Sequence, residues 1–296
     1  MGETADSGVD NDVYKVLRGY YHVVYPILIA VALVTNLACL LVTCRAKMRT
    51  LHVNKYIQMM SILDGLVFIV LLPKCFDTEF CVYSSYGFAF YNTYIDSLGY
   101  IFNTCSRYTL VALSLDRFMV VWCESKYQTW TRGSMKRLLS IFIWIAISYL
   151  VPICVTHPVK ASEDGWLAQE FDKNHTHYWL GYYKYYLLVT MGMLPSAGLL
   201  TLTIGLVVGI IKKVVRNDLS NRQNTLYSQC IAVIVLSVSY VVAVIPYSIV
   251  IANHNIKSGK CYSDAETENI SHLFLCLILL WSTLNIVVFF LLNRDY

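Results

Sequence analysis

Charge is what this sequence has least of. Among 296 residues only 23 are basic and 19 acidic, so 14% are charged while 57% are hydrophobic. Soluble domains carry about 25% charged residues, and an ordinary water-soluble fold is excluded. The opening "MGETADSGVDNDVYK" has no basic stretch ahead of the first apolar block. That block therefore reads as a retained span and not as a cleaved signal peptide. No internal repeat is visible and the two halves do not mirror each other, unlike inverted-repeat transporters. The seven histidines are dispersed, and neither a nucleophile–base pair nor a metal-ligand spacing is present. No enzyme is expected, and no nucleic-acid partner.

What is present is apolar sequence in blocks of about 20 residues, the length that crosses ~30 Å of hydrocarbon as a helix. Seven such blocks lie near 20–44, 53–73, 90–121, 139–157, 180–211, 228–253 and 268–292. They predict an all-α membrane protein, a bundle of seven transmembrane helices. Lys and Arg cluster in alternate connections: Arg45, Lys47 and Arg49; Lys126, Arg132, Lys136 and Arg137; Lys212, Lys213, Arg216 and Arg222. The other connections carry an excess of acids, among them Asp77, Glu79, Glu163, Asp164, Asp264 and Glu266. By the positive-inside rule the N-terminus is outside and the C-terminus inside. The sequons at Asn174 and Asn269 both fall on the outer side as glycosylation candidates. Residues 1–19 are expected to form an extracellular tail and 20–296 one multi-pass domain in the plasma membrane. The chain stops at "LLNRDY", just past the seventh block, and a cytoplasmic tail is expected beyond it. Pro195 and Pro246 lie within blocks five and six, where a missing backbone donor makes a helix hinge.

At the inner end of the third block, "VALSLDRFMVVW" sets Asp116 and Arg117 side by side, followed by Phe118. A carboxylate and a guanidinium there can form a bidentate pair at the membrane edge. The triplet resembles the D/E-R-Y/F motif of rhodopsin-like G-protein-coupled receptors, and other landmarks stand in register with it. Asn36 resembles the asparagine of span 1, Asp64 the aspartate of span 2 and Trp144 the tryptophan of span 4. Pro195 and Pro246 match the prolines of spans 5 and 6, and Asn285 opens the span-7 N-P-x-x-Y position. The resemblance implies a switch in which Asp116, Arg117, Phe118, Asn285 and Phe289 couple the bundle to a cytoplasmic heterotrimeric G protein.

Asp64 is a carboxylate in mid-membrane, a costly group that faces the bundle interior with a partner. The resemblance implies that Asp64, Ser106, Ser282 and Asn285 could hold an allosteric sodium ion; no other cofactor is expected. Arg107, ten residues before Arg117, gives the opposing expectation: its guanidinium would satisfy Asp64 and leave no charge for an ion. With Asn36 these residues make a buried polar core. Several positions depart from the family: Val244 replaces the span-6 tryptophan, Thr203 the span-5 tyrosine, Ile286 the span-7 proline and Phe289 its tyrosine. The family disulfide from span 3 to the second outer loop is missing at both ends, with Asn92 at the span-3 position. Cys75–Cys81 closes a short loop most easily, Cys81–Cys261 would tie distant spans, and free thiols are the third reading.

For the ligand, Gly99 occupies the place of the amine-binding aspartate and Leu279 that of the retinal-binding lysine, which argues against monoamines and retinal. The outer half is rich in tyrosine and acid, suiting a cationic peptide through cation–π and charge-assisted contacts. Asp96, Tyr100 and Asn103 lie on one helical stripe, which with Gly99 forms the expected ligand pocket. The general texture is similar to invertebrate neuropeptide receptors of the FMRFamide-receptor-like kind. A weakly signalling or constitutively active receptor is the first alternative, and a transporter or channel the second.

Overall fold

A computed structural model of the chain describes residues 7–45, 52–72, 96–156, 186, 188–215, 227–244 and 281–283. Among these residues every regular element is helical: α1 Ser7–Thr43, α2 His52–Leu71, α3 Asp96–Trp122, α4 Glu124–Arg132, α5 Ser134–Thr156, α6 Leu194–Val215 and α7 Tyr227–Val244. A wide π-turn, Leu188–Met193, precedes α6, and residues 281–283 form one further helical turn. Helix is the expected form, because a backbone in hydrocarbon has no water to bond and must satisfy itself.

Five of these helices are long and apolar enough to cross a membrane: Val23–Thr43 of α1, α2, Ser134–Val151 of α5, α6 and α7. Their large apolar side chains point outward. Val23, Ile27, Val31, Val34, Leu37 and Leu41 of α1 are all exposed, as are Leu139, Ile143, Ile147 and Val151 of α5. Recurrence every three or four residues makes a continuous greasy stripe, the pattern of a helix that faces lipid. α3 is as long but less apolar, carrying Arg107, Asp116 and Arg117. Its neighbours explain why. α3 packs against α2, α4, α5 and α6, so it is shielded from lipid and buries Thr104, Ser106, Thr109 and Ser114. Its Leu110 and Leu113 form one core cluster with Leu199, Leu206, Leu236 and Tyr240, each at most 4% exposed. Lipid tails are as apolar as leucine, so this core is held by close packing and interhelical hydrogen bonds.

Two local features were not expected from the apolar blocks. α1 starts at Ser7, well before the block, and its 37 residues would measure about 55 Å, more than a bilayer needs. The polar segment "ESKYQTWTR" after α3 forms α4, with Glu124 in its first turn and Arg132 in its last, both favourable to the helix dipole.

The expected hinge at Pro195 has a specific structure. Proline offers no N–H to the preceding turn, and the backbone ahead of it widens into the π-turn. Side chains serve carbonyls there: Ser196 Oγ donates to Gly192 O at 2.9 Å, and Tyr108 OH donates from α3 to Thr190 O at 2.8 Å. Pro246 lies outside the described residues.

Candidate functional site

At the end of α3, Asp116 is fully buried and Arg117 is 3% exposed. Arg117 Nη2 donates to Asp116 Oδ2 at 2.6 Å and to Tyr127 OH at 3.3 Å. Its Nη1 donates to Gln229 Oε1 on α7 at 2.8 Å. Tyr127 OH in turn donates to Asp116 Oδ2 at 3.3 Å. Burial, with Asp116 adding to it, pushes the Tyr127 phenol up to about 12, so at neutral pH it keeps the proton it donates. Asp116 and Arg117 meet through one nitrogen and one oxygen, not the bidentate pair expected. The second oxygen is turned toward α2, where His52 Nδ1 lies 3.6 Å away. Guanidinium, carboxylate, phenol and amide thus tie α3, α4 and α7 together. Phe118 stacks on Trp122 with centroids 6.1 Å apart, and Trp122 Nε1 donates to Gly205 O of α6 at 2.9 Å.

Deeper in the bundle, the structure gathers Asn36, Asp64, Ser106 and Ser282 as a second polar group. Asn36 Nδ2 donates to Ser282 Oγ at 3.2 Å, and Ser282 Oγ donates to Asp64 Oδ2 at 3.1 Å. The Ser106 hydroxyl is buried without a hydrogen-bond partner. Arg107 makes no ion pair with Asp64 among the described residues. Its guanidinium carbon stands 5.8 Å from the Tyr240 ring centroid, and Nε has no partner. The Tyr240 ring meets Trp281 edge to face at 5.0 Å, and Trp281 Nε1 donates to Leu236 O at 3.3 Å.

A comparison with models of protein families matches residues 35–288 to the seven-transmembrane receptor of the rhodopsin family. The match covers most of the chain, including both polar groups. The chain belongs to the rhodopsin family of receptors. A comparison with curated proteins finds no match.

At the receptor positions that depart from the family pattern, Val244 is buried in the central core, 1% exposed. The Thr203 hydroxyl is buried and unpartnered. At the other end of α3, Gly99 is buried, and a Cβ there would stand 3.2 Å from Val70 Cγ1; the glycine lets α3 close on α2. Tyr100 is 52% exposed and Asn103 half-buried, so Gly99 and Tyr100 point to different surroundings. The Asp96 side chain, Cys75, Cys81, Cys261, Asn174, Asn269, Asn285 and Phe289 lie outside the described residues. Among the described cysteines, Cys39, Cys105 and Cys230 are free and buried.

Sequence reading missed His52, Tyr127 and Gln229 around Arg117. Gln229 carried a usable signal, a lone amide near the start of an apolar block. Tyr127, in a polar loop rich in charge, carried none.

Proposed function

We propose that this rhodopsin-family receptor couples an extracellular peptide to a cytoplasmic heterotrimeric G protein, with Arg117 as the coupling residue and the N-terminus outside the plasma membrane. One observation carries the reading: a guanidinium 3% exposed is tethered to α4 and α7 by neutral partners, Tyr127 and Gln229. Such bonds are strong enough to hold a closed end and weak enough to exchange for a partner's. Ligand would act by binding more tightly to the state in which α7 has swung away from α3, about Pro246. The tyrosine-rich outer segments favour an Arg- or Lys-containing peptide, and the similarity to invertebrate neuropeptide receptors points the same way. Asp64, Ser106 and Ser282 supply oxygen donors of the kind a sodium ion takes, and Arg107, turned to Tyr240, leaves the Asp64 charge available.

The test is a screen of a cationic-peptide library on purified receptor, read as nucleotide exchange on a G protein, against solute flux in liposomes. Exchange stimulated by a peptide, and weakened when sodium replaces N-methylglucamine, is the expected result. Flux without exchange would mean a transporter. Peptide binding without exchange would mean a non-signalling receptor, the alternative that the unpartnered Thr203 hydroxyl favours. In the same assay Gln229→Ala is expected to raise ligand-free exchange. A hydrogen bond to a charged group contributes about 1.5–3 kcal/mol, and partial exposure here brings the effect to about three- to tenfold. Unchanged basal exchange in Gln229→Ala would count against the tether.

A further inference from the structure

The hydrogen count around His52 is one short. Ser134 Oγ has a single hydrogen, and it is directed at Thr131 O, 3.0 Å away. Ser134 therefore accepts from its other neighbour, His52 Nε2, at 3.2 Å. A neutral imidazole has one N–H, and that bond places it on Nε2. His52 Nδ1 is left with a bare lone pair aimed at the Asp116 carboxylate, 3.6 Å from Oδ1. Both atoms are buried and neither has a hydrogen-bond partner. A lone pair against an anion is repulsive; a proton on Nδ1 turns the same contact into a charge-assisted bond. The His52 side chain is 24% exposed, so protons can reach it from the water at this end of the bundle.

The surroundings are mixed, and burial is the largest influence, opposing a positive charge on the ring. On α2, the Tyr56 ring meets the imidazole edge to face at 5.4 Å, and Lys55 is close enough to oppose a positive charge. Asp116 supports that charge from α3 while Arg117 opposes it. From α4 come the Thr131 carbonyl and the Tyr127 hydroxyl, which is bonded to Asp116. From α5 come Ser134 and Arg137, the latter turned onto the Trp130 ring at 4.0 Å. Asp116 is thus the one anion shared by Arg117 and a protonated His52.

We propose that His52 is a proton-dependent positioning residue for Arg117: protonated at Nδ1 by cytosolic acid, it bonds Asp116 Oδ1 and loosens the hold of that carboxylate on the guanidinium. The proton comes from water and forms one N–H···O bond; no covalent bond to carbon changes. The consequence is a switch biased toward release of α7 at low cytosolic pH. This rests on Arg117 being the coupling residue.

The test uses full-length receptor in nanodiscs, spin-labelled at Lys126→Cys and Ile231→Cys with the exposed Cys44 replaced by serine. The α4–α7 distance distribution is measured at pH 7.5 and 5.0, a span that reaches below the ordinary imidazole range because burial opposes the charged ring. The long-distance population is expected to rise at least about twofold on acidification, and to stay flat in both His52→Phe and His52→Gln. In parallel, ¹⁵N spectra of labelled histidine, assigned through the same variants, are expected to show the Nε2–H tautomer at pH 7.5 and a doubly protonated ring at 5.0. A pH response that persists in both variants overturns the proposal, as does a His52 ring that stays neutral; the spectra decide if either variant misfolds. Neither readout needs a G protein. An Arg117→Ala receptor with undiminished exchange would sink the coupling reading while leaving the proton-dependent movement measurable.

Discussion

Arg117→Ala is expected to leave peptide affinity near normal and to bring stimulated nucleotide exchange down to that of the G protein alone, a loss of at least about tenfold. The side chain makes three hydrogen bonds in the closed structure, to Asp116, Tyr127 and Gln229. None of them touches the outer half of the bundle. In the proposed movement of α7 the bond to Gln229 would be lost, and the guanidinium would have five donors to offer an inserted helix. An alanine has none. The substitution also strands a fully buried Asp116, and an unpaired buried charge costs about 3–5 kcal/mol. The companion variant Asp116→Asn/Arg117→Ala removes that charge and separates lost coupling from lost folding. If the double variant folds, binds peptide and still drives exchange at the wild-type rate, Arg117 is not the coupling residue.

The second large effect is steric. α6 approaches the end of α3 along two glycines. A Cβ on Gly209 would stand 2.5 Å from Val121 Cγ1 and 2.7 Å from Trp122 Nε1, and one on Gly205 would stand 2.7 Å from Phe118 Cε2. Real atoms do not approach so closely, and little around them can yield. Val121 is β-branched and stiff, while Trp122 is pinned by its bond to Gly205 O and by Lys212, 5.5 Å from its ring. Overpacking costs about 1–3 kcal/mol, so Gly209→Leu should lower the melting temperature in detergent by about 5 °C or more. Gly65→Ala is the control. Nothing lies within 4 Å of its added Cβ, and the gain in helix propensity of up to ~1 kcal/mol should leave it neutral or slightly more stable. Equal melting temperatures for Gly209→Leu and wild type would show that α3 and α6 do not pack through these glycines.

Much of this was legible from residue order, for a reason that differs from site to site. An acid and a base at the rim of an apolar block announce themselves, because lipid excludes both; Asp116 and Arg117 were found that way. Asp64, Asn36 and Ser282 could be grouped through the resemblance to rhodopsin-like receptors, whose matching positions lie together, and because lipid makes a mid-span carboxylate seek a partner. Rotation and reach are what residue order leaves open. Arg107 has a side chain long enough to serve Asp64 or to turn away, and only packing decides that it stands over Tyr240. Gln229 lies 112 positions from Arg117, and no periodicity relates them. α4 was missed because none of its nine residues is fully buried, so it leaves no apolar stripe. The third block was read as one span among seven; that it is the shielded centre depends on its neighbours, which residue order does not name.

The bond from Asn36 to Ser282 joins positions 246 residues apart. Its acceptor, Ser282, is synthesised 218 residues after Asp64. Until then the Asp64 carboxylate has entered the bilayer without the hydroxyl that donates to it. The polar group around Asp64 is therefore complete only once the segment that carries Ser282 has joined the bundle.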